Sequence, residues 1–222
     1  MTTSVAIMQP YFVPYLGYFR LFQRTDLFVI YDCVQFPRRG YVHRNQVPDR
    51  SGAAQWLTLP LARCDQKTLI QDLQWRADDC ATFASRIRQL AADWPVQASP
   101  LLCDEWLALL ADFSGSVVDY LERTLAFVCH ALSLQGHVIR SSSLGLDAEL
   151  KGQDRILEIC RRTGATHYVN SPGGRELYQP EVFAQAGIEL QFLEPFQGSH
   201  WSVAYRLLTE EKSRLVDELS AG

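Results

Sequence analysis

The chain has 222 residues, 47% hydrophobic and 21% charged, proportions that exclude a disordered tail, a collagen-like rod and a coiled coil. Its 21 Lys and Arg against 25 Asp and Glu leave a net charge of −4, which argues against nonspecific nucleic-acid binding, since that runs on a basic surface. The length suits one α/β domain over 1–222 with a substantial core.

In chain order, Val5-Ala6-Ile7-Met8-Gln9 is a continuous apolar run, as expected of a parallel strand buried on both faces, and Pro10 ends it. Tyr15 to Arg24 carries apolar residues at helical spacing, and Leu27-Phe28-Val29-Ile30-Tyr31 reads as a second buried strand. Phe36 to Arg50 reads as a loop or irregular hairpin, with Arg38, Arg39, His43, Arg44 and Arg50 against a single acid, Asp49; Gln55 to Pro60 is a third strand candidate. Residues 77–135 form a helical insertion. Its stripes run through Phe83, Ile87 and Leu90, then Trp106, Leu109, Leu110 and Phe113, then Val117 to Leu132, with Trp94-Pro95 and Ser99-Pro100 as breaks. The chain then alternates. His137-Val138-Ile139-Arg140 is a strand and Gln153 to Thr163 a helix with Ile156, Leu157 and Cys160 inward. His167-Tyr168-Val169 is a strand, Glu181 to Ala186 a helix and Ile188 to Leu193 a strand. This order predicts an α/β fold with a Rossmann-like, mostly parallel sheet interrupted by the helical insertion.

Six scattered cysteines with no Cys-x-x-Cys spacing, and no basic leader or long apolar run, predict reduced and mostly buried thiols, no structural metal, no membrane partner and a cytoplasmic protein.

Four segments could carry chemistry. The turn Gln9-Pro10-Tyr11 to Tyr15-Leu16-Gly17-Tyr18 follows a strand, where open α/β sheets bind ligands. It reads either as a pocket lined by Gln9, Tyr11, Tyr15, Gly17 and Tyr18 or as an aromatic plug of the core. Asp32, with Gln35 beyond it, ends the second strand as either a base or a turn cap, and Cys33 as a nucleophile or a small buried thiol. In the basic loop, Arg39, Arg44 and Asn45 suggest a localised anion site and His43 a general acid or base, against a solvated loop for which Arg50 and Arg63 are the better examples. Ser171-Pro172-Gly173-Gly174 lies between a strand and a helix, as an anion nest or a common Gly-Gly turn.

The series Gln9-Pro10-Tyr11, Pro14-Tyr15-Leu16-Gly17-Tyr18-Phe19, Asp26-Leu27-Phe28-Val29, Val34-Gln35-Phe36, Arg44-Asn45 and Trp56-Leu57-Thr58-Leu59-Pro60 resembles the WbqC-like family. Tyr168-Val169-Asn170-Ser171-Pro172-Gly173-Gly174 is similar more loosely, and the likeness fades after Phe196, where Ser199-His200-Trp201-Ser202 and a charged helix follow. The resemblance implies a bacterial protein of surface-polysaccharide biosynthesis, O-antigen included, that transfers aminoacyl or acyl groups. Strand, Pro-rich turn and helix also resemble, by architecture, the opening of HIGH-type nucleotidylyl transferases, with Tyr15-Leu16-Gly17-Tyr18 in place of their His-x-Gly-His pair.

The expectation is a transferase that moves an aminoacyl or acyl group onto an amine of a small anionic substrate such as a nucleotide-linked amino sugar. Arg39, Arg44 and the Gly173-Gly174 turn would hold the anion, the tyrosines line the pocket, and Asp32 or His43 take the amine proton. The alternatives are an ATP-dependent adenylating amide ligase and a non-catalytic ligand-binding subunit. The sequence specifies no cofactor and leaves self-association into a homo-oligomer open.

Overall fold

A computed structural model describes residues 3–221. Five parallel strands form the central sheet: β1 (Ser4–Met8), β2 (Leu27–Ile30), β5 (His137–Arg140), β6 (His167–Asn170) and β7 (Glu189–Phe192), in the order β5-β2-β1-β6-β7. The remaining strands, β3 (Arg44–Pro48) and β4 (Ala54–Thr58), pair only with each other.

Strand periodicity explains why β1 reads as an unbroken apolar run. Successive side chains point to opposite faces, and both faces are covered. Val5 and Ile7 join one core cluster with Val29 and Tyr168, while Ala6 joins the other with Phe28, Ile30 and Val169. The first cluster is closed by α5 (Gly152–Thr163). Ile156, Ile159 and Cys160 are buried in it, because a period of 3.6 puts positions three and four apart on one face, and Leu157 packs half-buried at its edge. The second is closed by α1 (Arg20–Arg24), where Phe22 stacks on Phe28 with ring centroids 3.9 Å apart, and by the helices that follow β4.

Between β2 and β5, neighbours in the sheet, lie the β3–β4 hairpin and three helices: α2 (Ala77–Ala92), α3 (Pro100–Leu110) and α4 (Val117–Ala131). Of the two readings of Phe36 to Arg50, loop or irregular hairpin, the second half takes the hairpin form as a regular strand. Asp49 makes the turn, its Oδ1 accepting from the amides of Ser51 (2.8 Å) and Ala53 (2.9 Å). The helix starts follow their capping chemistry. Ser99 Oγ accepts from Leu102 N with Pro100 in the first turn, and Ser116 and Asp119 form a reciprocal capping box.

Past β6, α6 (Pro180–Gln185) leads into β7. The tail forms α7 (Val203–Thr209), apolar and almost wholly buried, and the charged α8 (Lys212–Ser220). The result is a Rossmann-like α/β fold. β1 occupies the centre, with the chain leaving it toward β2 and β5 on one side and β6 and β7 on the other, so the topological switch point falls between β1 and β6. Among the six cysteines, all free, only Cys160 is buried, on the core-facing stripe of α5, and the others are half-buried. No helix of the described residues is long and apolar enough to cross a membrane.

Candidate functional site

The turn after β1 is a tightly braced structure. Tyr18 is buried and its Oη donates to Gln9 O at 2.8 Å, closing the turn on itself. Val13 has φ +37°, a left-handed conformation that a β-branched residue avoids, and it is held from two directions. Asn45 Nδ2 donates to Phe12 O and Val13 O, each at 3.1 Å, and Ser202 Oγ donates to Val13 O. Gly17 is required where it is, since a Cβ there would run into the rings of Tyr15 and Phe196. Tyr15 stacks on His200 at 4.9 Å. The tail therefore packs directly on this turn. At the switch point Tyr11, Tyr15, Gly17, Tyr18 and Ser171 line a small cavity of about 60 Å³ together with Arg20, which the sequence pattern did not single out. Burial raises the pKa of Tyr11, Tyr15 and Tyr18 above the ordinary phenol value, so all three are neutral donors at pH 7.

Asp32 is 1% exposed, and its carboxylate is fully engaged. Ser141 Oγ (2.8 Å) and Ser142 N (2.9 Å) donate to Oδ1, and Ser142 Oγ (2.6 Å) donates to Oδ2. Asp32 thus ties the end of β2 to the end of β5. Alanine here would leave the Ser142 amide and hydroxyl without partners and the Ser141 hydroxyl with only the Cys33 sulfur as acceptor, so Asp32→Ala is expected to cost about 1–3 kcal/mol in urea denaturation. An unchanged midpoint would refute the tie. Cys33 Sγ lies 3.1 Å from Ser141 Oγ, and Gln35 Nε2 donates to Gln66 O (2.7 Å), anchoring a loop backbone.

The basic loop divides. Arg44 folds onto its own hairpin, its guanidinium 4.4 Å over the Trp56 ring and its Nη2 donating to Arg39 O at 3.1 Å, while Arg39 itself is exposed. Asn45 is buried in the turn contact above. His43 and Arg38 turn instead into a groove of about 800 Å³ between the hairpin and α2. Its floor includes Phe36, Leu59 and Phe83, and its rim adds Arg63, Arg76 and Arg86. Among the described residues Asp79 is the only carboxylate lining it, and Arg76 already pairs with it at 2.8 Å. The ring of His43 packs edge-on to Phe36, and its Nδ1 is buried with no partner. Burial, and then the charge of Arg44, push its pKa down to about 4, so the imidazole is neutral at pH 7.

The Ser171–Gly174 segment is the start of a 3₁₀ turn, Pro172–Leu177. Ser171 N donates to Asn170 Oδ1 (2.7 Å) and Gly174 N to Ser171 O (3.0 Å), so two of its amides are satisfied internally. Gly174 is buried against the Asn170 side chain, while Gly173 is exposed. The candidate residues thus fall into three places: the switch-point cavity, the Asp32–Ser141–Ser142 tie and the arginine groove. His43 lines the groove, and Asp32, buried in its serine tie, does not. Arg63, Arg76 and Arg86 escaped sequence reading because an exposed arginine on a loop or amphipathic helix looks like any solvated residue. Among the described residues no cluster of three or more His, Cys, Asp and Glu side chains is placed to hold a metal ion.

The model of the WbqC-like protein family matches residues 9–206, which span the switch-point turn, the groove and the tail that packs on the turn. The chain belongs to the WbqC-like family. It is also 29% identical over 202 residues to the uncharacterized protein Rv1507c of Mycobacterium tuberculosis (strain ATCC 25618 / H37Rv), an alignment covering 86% of this chain and 82% of that protein. No solved structure matches. The WbqC-like match continues past Phe196 to Arg206, through the tail whose Ser202 and His200 brace the turn.

Proposed function

We propose that this WbqC-like protein is a biosynthetic group-transfer enzyme whose arginine groove binds the phosphate or pyrophosphate of a small anionic substrate, such as a nucleotide-linked amino sugar. The observation that carries the reading is the charge of the groove: Arg38, Arg63, Arg76 and Arg86 face a single, already paired carboxylate in a chain of net charge −4. Arginine forks match phosphate oxygens in pairs, and a concave wall of one sign concentrates the field on the ligand. Beside them the neutral His43 has a ring nitrogen free to accept a proton. As the substrate amine attacks the acyl carbonyl, the new N–C bond forms, the donor's leaving group departs with its electron pair, and His43 takes the amine proton. A docked anion raises the pKa of His43 toward the range where it works as a base.

The test is a thermal-shift and kinetic survey with nucleotide sugars, ATP, CoA and free amino acids. Nucleotide sugars should raise the midpoint, and Arg63→Ala or Arg86→Ala should weaken their binding. A lost charge-assisted hydrogen bond is worth about 1.5–3 kcal/mol, so the weakening should be roughly 10- to 150-fold. Unaltered affinity in both variants would sink the groove assignment.

One observation favours adenylation as a second reading. His200 stacks on Tyr15, bringing an imidazole back to the turn where tyrosines replace the His-x-Gly-His pair. That reading requires ATP, not nucleotide sugars, to raise the midpoint, with pyrophosphate released on turnover.

A further inference from the structure

The fold buries two arginines deeply and treats them in opposite ways. Arg206, 0% exposed, is saturated: Nε and Nη2 donate to Glu210 at 2.6 and 2.8 Å, and Nη1 and Nη2 donate to Glu218 at 2.8 and 2.5 Å. Arg20, 3% exposed, has one hydrogen bond, from Nη1 to Glu194 O at 2.8 Å. Its Nε is buried without a partner, and no carboxylate among the described residues pairs with it. The nearby Glu194 side chain is 76% exposed and reaches out to Arg175 instead. A cation withdrawn from water without a counter-charge is costly, and proteins retain one where a ligand supplies the missing charge.

Position and shape agree with that reading. Arg20 opens α1 and lines the cavity at the β1/β6 switch point, where α/β sheets of this order bind ligands. With Nη1 engaged and Nε enclosed without a partner, Nη2 is the guanidinium nitrogen left to meet a ligand, and the charge it carries has no protein counter-charge among the described residues. Tyr11, Tyr15 and Ser171, each bearing a hydroxyl, line the same cavity, together with the apolar Met8, Leu21 and Leu193. About 60 Å³ is ample for more than a single water, which needs only roughly 10–15 Å³ on this measure. It is far smaller than the groove of about 800 Å³.

We infer that the switch-point cavity is a binding site for the carboxylate of a small acid or amino acid, held by the Arg20 guanidinium with Tyr11, Tyr15 and Ser171 lining the site around it. The inference stands apart from the groove, since it uses none of the groove residues.

Titration calorimetry with acetate and with glycine tests it, with acetamide as the uncharged isostere and inorganic phosphate as the competing anion. Wild-type protein should bind both carboxylates saturably and acetamide not at all. Arg20→Met, which keeps the stem but removes the charge, should weaken carboxylate binding at least tenfold. Its ligand-free melting midpoint should be held or raised, since an unpaired buried cation is gone. If Arg20→Met does not fold, Arg20→Lys keeps the charge on a shorter head that cannot both hold Glu194 O and reach the ligand, and should still lose most of the affinity. No carboxylate binding in the wild type, equal affinity in the folded variants, or phosphate bound more tightly than acetate would each overturn the assignment. Because the groove is probed with nucleotide sugars and this cavity with acetate, either assignment can fail while the other stands.

Discussion

Arg206→Ala is expected to destabilise the protein by about 3–5 kcal/mol, the cost of breaking a buried ion pair from one side. Arg206 lies in α7 and clamps Glu210, just past that helix, and Glu218 of α8, whose side chains are only 15% and 20% exposed. Removing the guanidinium leaves two poorly solvated carboxylates facing an empty space. The same network holds the tail: Glu218 Oε1 accepts from Ser199 N (3.1 Å), and Arg206 Nη1 donates to Ser199 O (3.4 Å). The variant should therefore also loosen the seating of His200 on Tyr15. Urea denaturation at neutral pH should show a large fall in midpoint, and an unchanged midpoint would show the network to be inert. Combining Arg206→Met with Glu210→Gln and Glu218→Gln should recover much of the loss, since no uncompensated charge is then buried.

The pH dependence has a definite sign. The hydrogen bond from Arg206 is the largest cause holding the Glu218 pKa below its ordinary 4.5. The unfolded chain therefore takes up a proton before the folded one does. This stabilisation is complete above the unfolded value and is lost as pH falls through the lowered folded one. In Arg206→Ala the Glu218 share of the acid slope should largely vanish.

His43→Gln is the second substitution with a large expected effect, here on turnover. A positioned general base contributes about 10²- to 10⁴-fold, so kcat should fall by that factor while KM for the anionic substrate holds, the arginines being intact. A variant with full kcat would remove His43 from the chemistry and leave the groove as a binding surface. The substitution also has a linkage signature. The folded-state pKa of His43 is near 4 against an ordinary 6.5, so between those values the unfolded chain binds more protons. Stability is fully present above about pH 6.5 and is lost as pH falls toward 4. Glutamine cannot titrate, so His43→Gln should flatten this part of the stability curve.

Much of the frame was legible in the residues. β1 and β2 announce themselves as apolar runs because strands covered on both faces need no polar side. The Ser99 and Ser116 helix starts follow local capping chemistry, and the turn after β1 was marked by its proline, aromatics and Gly17 at a strand end. These features depend on neighbours within a few positions. The segment Phe36 to Arg50 left a loop and an irregular hairpin open for the same reason: its second half becomes a hairpin strand only through pairing with β4.

What only the tertiary structure decided is which polar residues meet. Asp32 could be placed at a strand end from sequence, but its partners Ser141 and Ser142 lie 109 and 110 positions away. The groove joins Arg38 and His43 of the loop, Arg63 beyond the hairpin, and Arg76 and Arg86 at and on α2, none of which is marked by spacing. Arg20 is the clearest case. Within its own helix it resembles a solvated arginine, and it becomes a buried cation only because Glu194, 174 positions later, closes over it. Hydrophobic periodicity is written locally because each element must bury one face or two. The pairing of charges depends on contacts between distant segments, and these exist only once the chain has folded.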